Sequence, residues 1–542
     1  MSDLTSDVVA DVPLYAQPEV HQRRWTLLAV LCLSLVMVVM AVSGLNVALP
    51  TLQRELDASA TMLQWIVDAY ALVFAGLLLT AGALGDRFGR KGALLVGLAV
   101  FATGSVISGL AGSATVVILG RAVQGAGAAF VMPATLSLIT AIFPPEERQR
   151  AIAVWVGFAG AGGAIGPVVS GALLQRFWWG SAFLVNVPVV AVTAAAIALY
   201  SPRSRDDNAT PLDPRGAVLS LLGLGALLYG IIEGPERGWS DGVVVATFVA
   251  AAVFLTGFIA WERVAAHPML PLRFFADRRF SVGSAVVTVS FFVMFGFFFL
   301  FSLYLQLVRG YSPLDAGLAT LPMAATFIVV SPRSAPLAEH IGNGRTIALG
   351  LFVVGLGMAV FSRVGTDTPY VILALALVLL AAGMAISAAP ATGSIMSAVP
   401  LAKAGVGSAM NDTTREVGGA LGIAVFGSIV NSLYRANLDL GGLELPASAA
   451  AEIKDSVGGA ANAVSQTGVD GGAVIERAAG AFTHAFDQMA IISVTIAVAA
   501  AVVVLRTFTT AKERAAAAAN TEVGADAEAY ALSALAGGVA AD

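Results

Sequence analysis

Charged residues are scarce in this sequence. Only 12% of its 542 residues are Asp, Glu, Lys or Arg, against about 25% in a soluble globular protein. A fold with so little polar surface cannot be wetted by water, so lipid must be its solvent. Cysteine is scarcer still: Cys32 stands alone, which excludes an internal disulfide and any cysteine-built zinc site. The four histidines, His21, His267, His340 and His484, are scattered along the chain, so no metal is expected. A net charge of −5 leaves no basic footprint for nucleic acid. No phosphate loop or catalytic triad is present. The glycine-rich stretches lie inside apolar runs rather than after a strand, so a dinucleotide site is excluded. Neither enzymatic activity nor a cofactor is expected.

Apolar residues and glycine are abundant, at 58% of the chain and 57 residues respectively. Glycine is common where helices pack closely in lipid. Residues 1–24 are polar and end in Arg23-Arg24. The apolar run that follows is too long for a signal-peptide core and lacks a clear cleavage site. A span needs about 20 apolar residues. The sequence has fourteen such runs, near 25–49, 62–84, 92–111, 115–140, 150–174, 181–200, 215–233, 241–261, 281–305, 314–335, 345–362, 369–393, 405–430 and 485–508. Pro322 and Pro332 make the tenth the weakest. With the N-terminus inside, the inner segments hold 20 Lys and Arg and the outer loops 8, with Arg121 and Arg415 inside spans. This excess of cations on one side places both termini in the cytoplasm. The intervening stretch 432–483 reads as a Gly/Ala-rich outer loop with room for a short helix, and 509–542 as a disordered acidic tail.

Two pairs of segments repeat at nearly one offset. Gly160 to Gly171 aligns with Glu416 to Gly427 at 256 residues, and Leu84 to Gly89 with Leu337 to Gly342 at 253. Both pairs keep their orientation, so the halves are parallel repeats, with substrate expected at their interface near mid-membrane. The chain then divides into a cytoplasmic tail (1–24), a six-helix bundle (25–200), a linker with two extra spans (201–280), a second six-helix bundle (281–508) and the tail.

An ionised side chain at mid-bilayer costs about 2.5–3.5 kcal/mol on insertion scales, so those retained within spans are functional candidates. Asp68 in span 2 shares a helix face with Gln64, and burial favours its protonated form. It is either an exchangeable proton site or a carboxyl hydrogen-bonded near the outer rim. Arg121 in span 4 shares a face with Gln124 and Gly125. It cannot deprotonate, so it either holds a counter-charge or clamps backbone carbonyls. Asp412, Arg415 and Glu416 occupy one face near the start of span 13. An Asp412–Arg415 pair at i, i+3 is expected there, either as a proton site or as a neutralised local network. Glu233, at the end of span 7, reads as interfacial. The short loop Gly82 to Lys91 sets Asp86 among Arg87, Arg90 and Lys91. It reads as a charged staple able to lock two helices in one state, or as an ordinary positive-inside loop. Gly157, Gly160, Gly162, Gly163, Gly166 and Gly171 run along span 5 with Pro167, as expected of a tight interface between halves that slide or seal.

These segments resemble the major facilitator superfamily, and within it the fourteen-helix drug:proton antiporters of multidrug efflux. Gly82 to Lys91 is similar to the superfamily's loop 2–3 signature. Leu119 to Ala129 is similar to the span-4 pattern around Arg121, and Gly157 to Gly171, with Gly166-Pro167, to the span-5 antiporter signature. Trp65 to Tyr70 and Asn411 to Gly422 also resemble family segments, and Asn46-Val-Ala-Leu-Pro50 closes span 1 intact. The family commonly carries an Asp five residues before that motif, where this chain has Ala41. Asp68 is therefore the leading acid.

The resemblance implies an all-α integral membrane protein of the major-facilitator type, with two six-helix bundles plus two inserted helices. The implied activity is proton-coupled export of small amphipathic molecules from the cytoplasm, associated with antibiotic resistance. Export of a lipid or cell-envelope precursor, and uptake of a metabolite, remain as alternatives. The proton-coupling set is Asp68, Arg121, Asp412, Arg415 and Glu416. Gln64, Asp68, Gln124 and Asn46 are expected to contact substrate. The conformational switch comprises Gly82, Gly85, Asp86, Arg87, Gly89, Arg90, Lys91, Gly162, Gly166 and Pro167. A monomer is expected, with a small-molecule substrate, protons and membrane lipids as its partners and the proton gradient as its energy source.

Overall fold

Lipid offers no hydrogen bonds, so an apolar run crossing it must pair its own amide groups, which a helix does. The computed structural model describes the backbone of residues 14–537 apart from 57, 59, 203–212, 442, 444, 456 and 468–470. Side chains at several further positions, including 46, 64 and all those beyond 508, lie outside the description. The described residues contain no strand and fourteen helices long and apolar enough to cross a membrane. Spans 1–6 are Pro18–Ser43, Trp65–Phe88, Arg90–Gly109, Ala114–Ile142, Pro145–Leu174 and Ser181–Tyr200. Spans 7 and 8 are Pro214–Gly234 and Gly242–Val264. Spans 9–14 are Arg278–Val308, Leu314–Ile341, Asn343–Phe361, Tyr370–Ser397, Leu401–Asn437 and Gly472–Phe508.

Several boundaries differ from the sequence expectation. Span 1 begins seven residues early, at Pro18, whose missing N–H is no loss in a first turn. It stops at Ser43, and Asn46 to Pro50 ride on a separate helix, Leu45–Glu55. The break falls at Gly44, where span 5 comes so close that a Cβ would stand 2.8 Å from the Gly166 carbonyl oxygen. Span 10 is a chain of short pieces, Pro313–Leu318, Leu321–Val330, Ser331–Arg333 and Ser334–Ile341, because its prolines remove backbone donors.

The expected outer loop is largely helical. Span 13 runs to Asn437, and Ala447–Asp455 and Val457–Thr467 follow before the last helix begins at Gly471. Alanine, a strong helix former, explains the helicity. Ile453, Ala460 and Ala463 explain the docking, because they bury in the core of the second half. Tyr434 Oη donates to the Ile453 carbonyl at 2.8 Å. The last helix extends to Gly537. The tail expected over 509–542 falls on residues whose side chains, and past 537 whose backbone, lie outside the described part.

One apolar core gathers side chains from Val20 to Ile197, with a few from the far half. Another gathers side chains from Met269 to Val504, with Leu79 of span 2 and Leu224 and Phe258 of the inserted spans. The repeat recurs in their packing. A Cβ at Gly97 of span 3 would stand 2.9 Å from the Gly127 carbonyl of span 4, and one at Gly350 of span 11 would stand 2.6 Å from that of Gly383 in span 12. Gly104 meets the Gln124 amide, as Gly357 meets that of Leu380. Gly89 and Gly342, aligned by sequence, both hold positive φ (108° and 88°) and both precede a helix. Only glycine takes that conformation without strain.

The inserted span 7 lies against spans 2 and 13, along one seam between the halves. Trp65 of span 2 meets Tyr229 of span 7 with ring centroids 5.8 Å apart. The indole N–H of Trp239, which follows span 7, reaches Ser428 Oγ of span 13 at 3.3 Å. Span 8 packs on span 7 and is otherwise largely exposed.

A candidate coupling site between the halves

Arg121 is fully buried. Its Nε donates to the Ile66 carbonyl of span 2 at 3.0 Å and its Nη1 to Gln124 Oε1 at 3.1 Å. Gln124 Nε2 in turn donates to Ser105 Oγ of span 3 at 2.7 Å. The guanidinium lies over the Tyr70 ring, 4.3 Å from its centroid. Gly125 admits span 2 this closely, since a Cβ there would stand 3.1 Å from the Tyr70 Cα. Arg121 thus ties spans 2, 3 and 4 together through a carbonyl, an amide and a ring face. Arg121 Nη2 and Tyr70 Oη are buried and have no hydrogen-bond partner among the described residues. Leaving such a group unmade costs about 1–3 kcal/mol, so the place suits a water, a proton carrier or a polar ligand.

The second half contributes span 13. Thr392 Oγ1 donates to Asn411 Oδ1 at 3.0 Å, and Asn411 Nδ2 to Asp412 Oδ1 at 3.3 Å. Arg415 Nη1 stands 3.5 Å from Asp412 Oδ1, the pair that the i, i+3 spacing predicts. This contact is long and single, and Asp412 Oδ2 and Arg415 Nε are buried without a partner among the described residues. Two ring faces supply the rest of the cation's surroundings: Phe291 of span 9 at 4.5 Å and Trp155 of span 5, in the other half, at 5.7 Å. Glu416 is half-buried on the same helix. It lies within electrostatic range of Tyr70 across the seam.

Asp68 is half-buried on span 2. It precedes Asp86 by 18 residues, five full turns of an α-helix, so the two share one bearing, the one Gly82 presents to span 13. Asp68 therefore lies on the face of span 2 that looks toward the second half. Asn46 and Gln64 sit on helices, but their side chains fall outside the described residues.

The loop 2–3 staple is built across the halves. Asp86 is buried and accepts from the backbone N–H groups of Gly405 at 2.9 Å and Val406 at 3.2 Å. These are free amides in the first turn of the helix that carries Asp412 to Glu416, where a negative charge is favoured. Arg90 Nη2 pairs with Asp86 at 3.1 Å and also donates to the Leu401 carbonyl. Gly82 permits this closure: a Cβ there would stand 2.5 Å from the Gly405 carbonyl oxygen. Gly85 is buried in the same stretch. The other two cations of the loop face elsewhere. Lys91 Nζ donates to the carbonyls of Ala198 at 2.8 Å and Ser201 at 2.7 Å, and the Arg87 guanidinium lies over Phe88.

Span 5 divides its small residues between two partners. Gly157 and Gly160 face Phe327 and Ser331 of span 10, Gly171 faces Leu314, and Pro167 abuts Gly317. Gly162 and Gly166 instead seat span 1, against Val39 and Met40. The expectation that the whole glycine run lies between the halves therefore holds for only one face of the helix. A helix with small residues on two sides can pack closely on both.

Sequence reasoning did not single out Tyr70, Ser105 or Trp155. Tyr70 lies in a segment that resembles the family. The other two carry no mark in the sequence, because a serine or tryptophan in an apolar span looks the same whether it faces lipid or a buried cation.

A sequence profile described as Major Facilitator Superfamily matches residues 31–423. The multidrug efflux pump LfrA of Mycolicibacterium smegmatis is 34% identical over 88% of this chain and 95% of its own length. The multidrug resistance protein Stp of Mycobacterium tuberculosis is 35% identical over 75% of the chain and 76% of its length. The tetracenomycin C resistance and export protein of Streptomyces glaucescens is 33% identical over 80% of both. The crystal structure of the human organic anion transporter MFSD10 has the same fold, with a TM-score of 0.57 at 15% identity, covering 89% of this chain and 99% of that one. With a family profile spanning most of the chain and relatives matched along most of their length, this chain belongs to the Major Facilitator Superfamily.

Proposed function

We propose that this chain exports small amphipathic molecules across the cytoplasmic membrane in exchange for protons, by alternating access between its two halves. The observation that carries the reading is a buried, incompletely paired cation in each half: Arg121 against Tyr70 in the first, and Arg415 beside Asp412 in the second, the latter facing Trp155 across the seam. Named multidrug efflux and resistance proteins among its relatives support the export direction. Asp68 and Glu416 exchange protons, while Arg121 and Arg415 hold the local field that their charge changes act against. Gln64, Gln124 and Asn46 contact substrate. The Asp86 staple holds the loop 2–3 end shut until the halves rock apart. Both termini lie in the cytoplasm, the protein works as a monomer among membrane lipids, and its energy source is the proton gradient.

The test uses proteoliposomes loaded with a fluorescent organic cation such as ethidium and given an imposed pH gradient. Counterflow of dye and protons is expected in the native protein. Asp68→Asn and Glu416→Gln are each expected to abolish gradient-driven movement while leaving dye binding measurable. Dye movement indifferent to the gradient in the native protein, or unchanged coupling in both variants, would overturn the reading.

A further inference from the structure

Trp155 is among the largest fully buried side chains in the protein, and nothing in the exchange scheme above uses it. Its indole N–H donates to Thr135 Oγ1 of span 4 at 3.2 Å, which fixes the ring plane. That ring faces the Arg415 guanidinium of the opposite half at 5.7 Å, while Phe291 covers the same cation from within its own half at 4.5 Å. Arg415 is buried, its one carboxylate contact is 3.5 Å long, and its Nε has no partner among the described residues. A cation so incompletely paired draws on the ring quadrupoles around it. One of those two rings belongs to the other half, so the contact crosses the seam between the halves. Ser331 Oγ of span 10 donates to the Ala153 carbonyl, two residues from Trp155, so the tryptophan sits inside a contact surface between the halves.

We infer that Trp155 is a positioning residue for the exchange reaction: its ring face holds Arg415 across the seam and thereby ties closure of the cytoplasmic side to the charge on span 13. The inference rests on the antiport reading only for its consequence, since the contact itself is conformational. The charged and titratable groups around Arg415 are Asp412 and Glu416 on its own helix. Span 2, packed on span 13, brings Tyr70 and, on its face toward the second half, Asp68; span 4 carries Arg121, while spans 5 and 9 present Trp155 and Phe291. When Asp412 is neutralised, Arg415 loses its one anionic contact and depends more on the rings. When Asp412 is charged, the ion pair competes with the ring of the other half.

The experiment measures closure without substrate. Spin labels are placed at Gly92→Cys and Arg345→Cys, positions that begin spans 3 and 11 at the loop 2–3 end, in a Cys32→Ser background. Distances between them are recorded in lipid across a pH series. In native Trp155 protein the short-distance population is expected to dominate and to vary with pH. Trp155→Leu is expected to lower the closed-to-open ratio about tenfold, the size of a desolvated cation–π contact, and to flatten its pH dependence. Trp155→Phe keeps a ring and should restore most of both. Thr135→Val keeps the ring and removes only the N–H contact, so it should fall between. In an Arg415→Met background, Trp155→Leu should add nothing further. Equal effects of Trp155→Leu with and without Arg415, or an unaltered pH dependence, would reduce Trp155 to packing and overturn the inference. An unchanged distance distribution in Trp155→Leu would do the same. Because no transported molecule enters the measurement, failure of the export reading would leave this result standing on its own.

Discussion

Arg121 illustrates how a residue type is chosen by geometry. Its planar fork serves the Ile66 carbonyl and Gln124 at once while its face rests on Tyr70. An ammonium is a compact point charge that cannot reproduce that arrangement. Arg121→Lys is therefore expected to lower gradient-driven exchange about tenfold or more, equivalent to about 1.4 kcal/mol, with protein yield unchanged. Exchange at the native rate would show that charge alone suffices there. Asp86 is the complementary case. Asp86→Asn keeps one acceptor for the Gly405 and Val406 amides but loses the charge that faces the span 13 helix terminus and Arg90. The staple should weaken by about 0.5–2 kcal/mol, read as a larger open fraction in the same spin-label pair.

At the scale of elements, close helix packing depends on a few glycines. A Cβ at Gly104 would stand 2.5 Å from the Gln124 amide nitrogen and 2.7 Å from the Gly120 carbonyl oxygen, both backbone atoms that cannot step aside. Gly104→Ala is expected to destabilise the protein by about 1–3 kcal/mol. Its repeat partner Gly357→Ala, with Leu380 N at 2.7 Å, should do so comparably. Thermal unfolding in detergent, scored against Gly92→Ala where no atom lies within 4 Å, measures both. Span 9 shows a capped element with a titrating cap. Asp277, just outside the span, accepts from Arg279 N at 2.8 Å and pairs with the Arg279 guanidinium, which holds its carboxyl below the usual carboxylate range. A carboxyl lowered in the folded state stabilises above its unfolded pKa and loses that effect as pH falls through the lowered value. The stability gap between native protein and Asp277→Ala should accordingly narrow on acidification and stay constant from neutral pH upward.

The whole molecule is two packed bundles with an extra hairpin on one seam. An even number of spans puts the starts of spans 3 and 11 on one side and the turn after span 7 on the other. Single cysteines at Gly92 and Arg345 are expected to react with a membrane-impermeant maleimide only from the cytoplasmic face, and one at Gly238 only from outside. Labelling of Gly92 and Arg345 from opposite faces would break the parallel repeat and the exchange scheme with it.

Hydrophobic runs and cation placement alone yielded the class and the fourteen spans, because lipid imposes length and internal hydrogen bonding on any chain crossing it, wherever its neighbours lie; the parallel repeat was legible in two segment pairs matched at nearly one offset. The i, i+3 spacing likewise placed Asp412 beside Arg415, a contact confined to one helix. Tertiary structure alone decided the contacts between helices. It set Asp86 on the amides of span 13, turned Gly162 and Gly166 toward span 1, docked the helices Ala447–Asp455 and Val457–Thr467 as a cap, and laid Trp155 over Arg415. Except in that cap, those contacts join residues more than a hundred positions apart. Their partners are chosen by close packing, for which an apolar sequence carries no local signal.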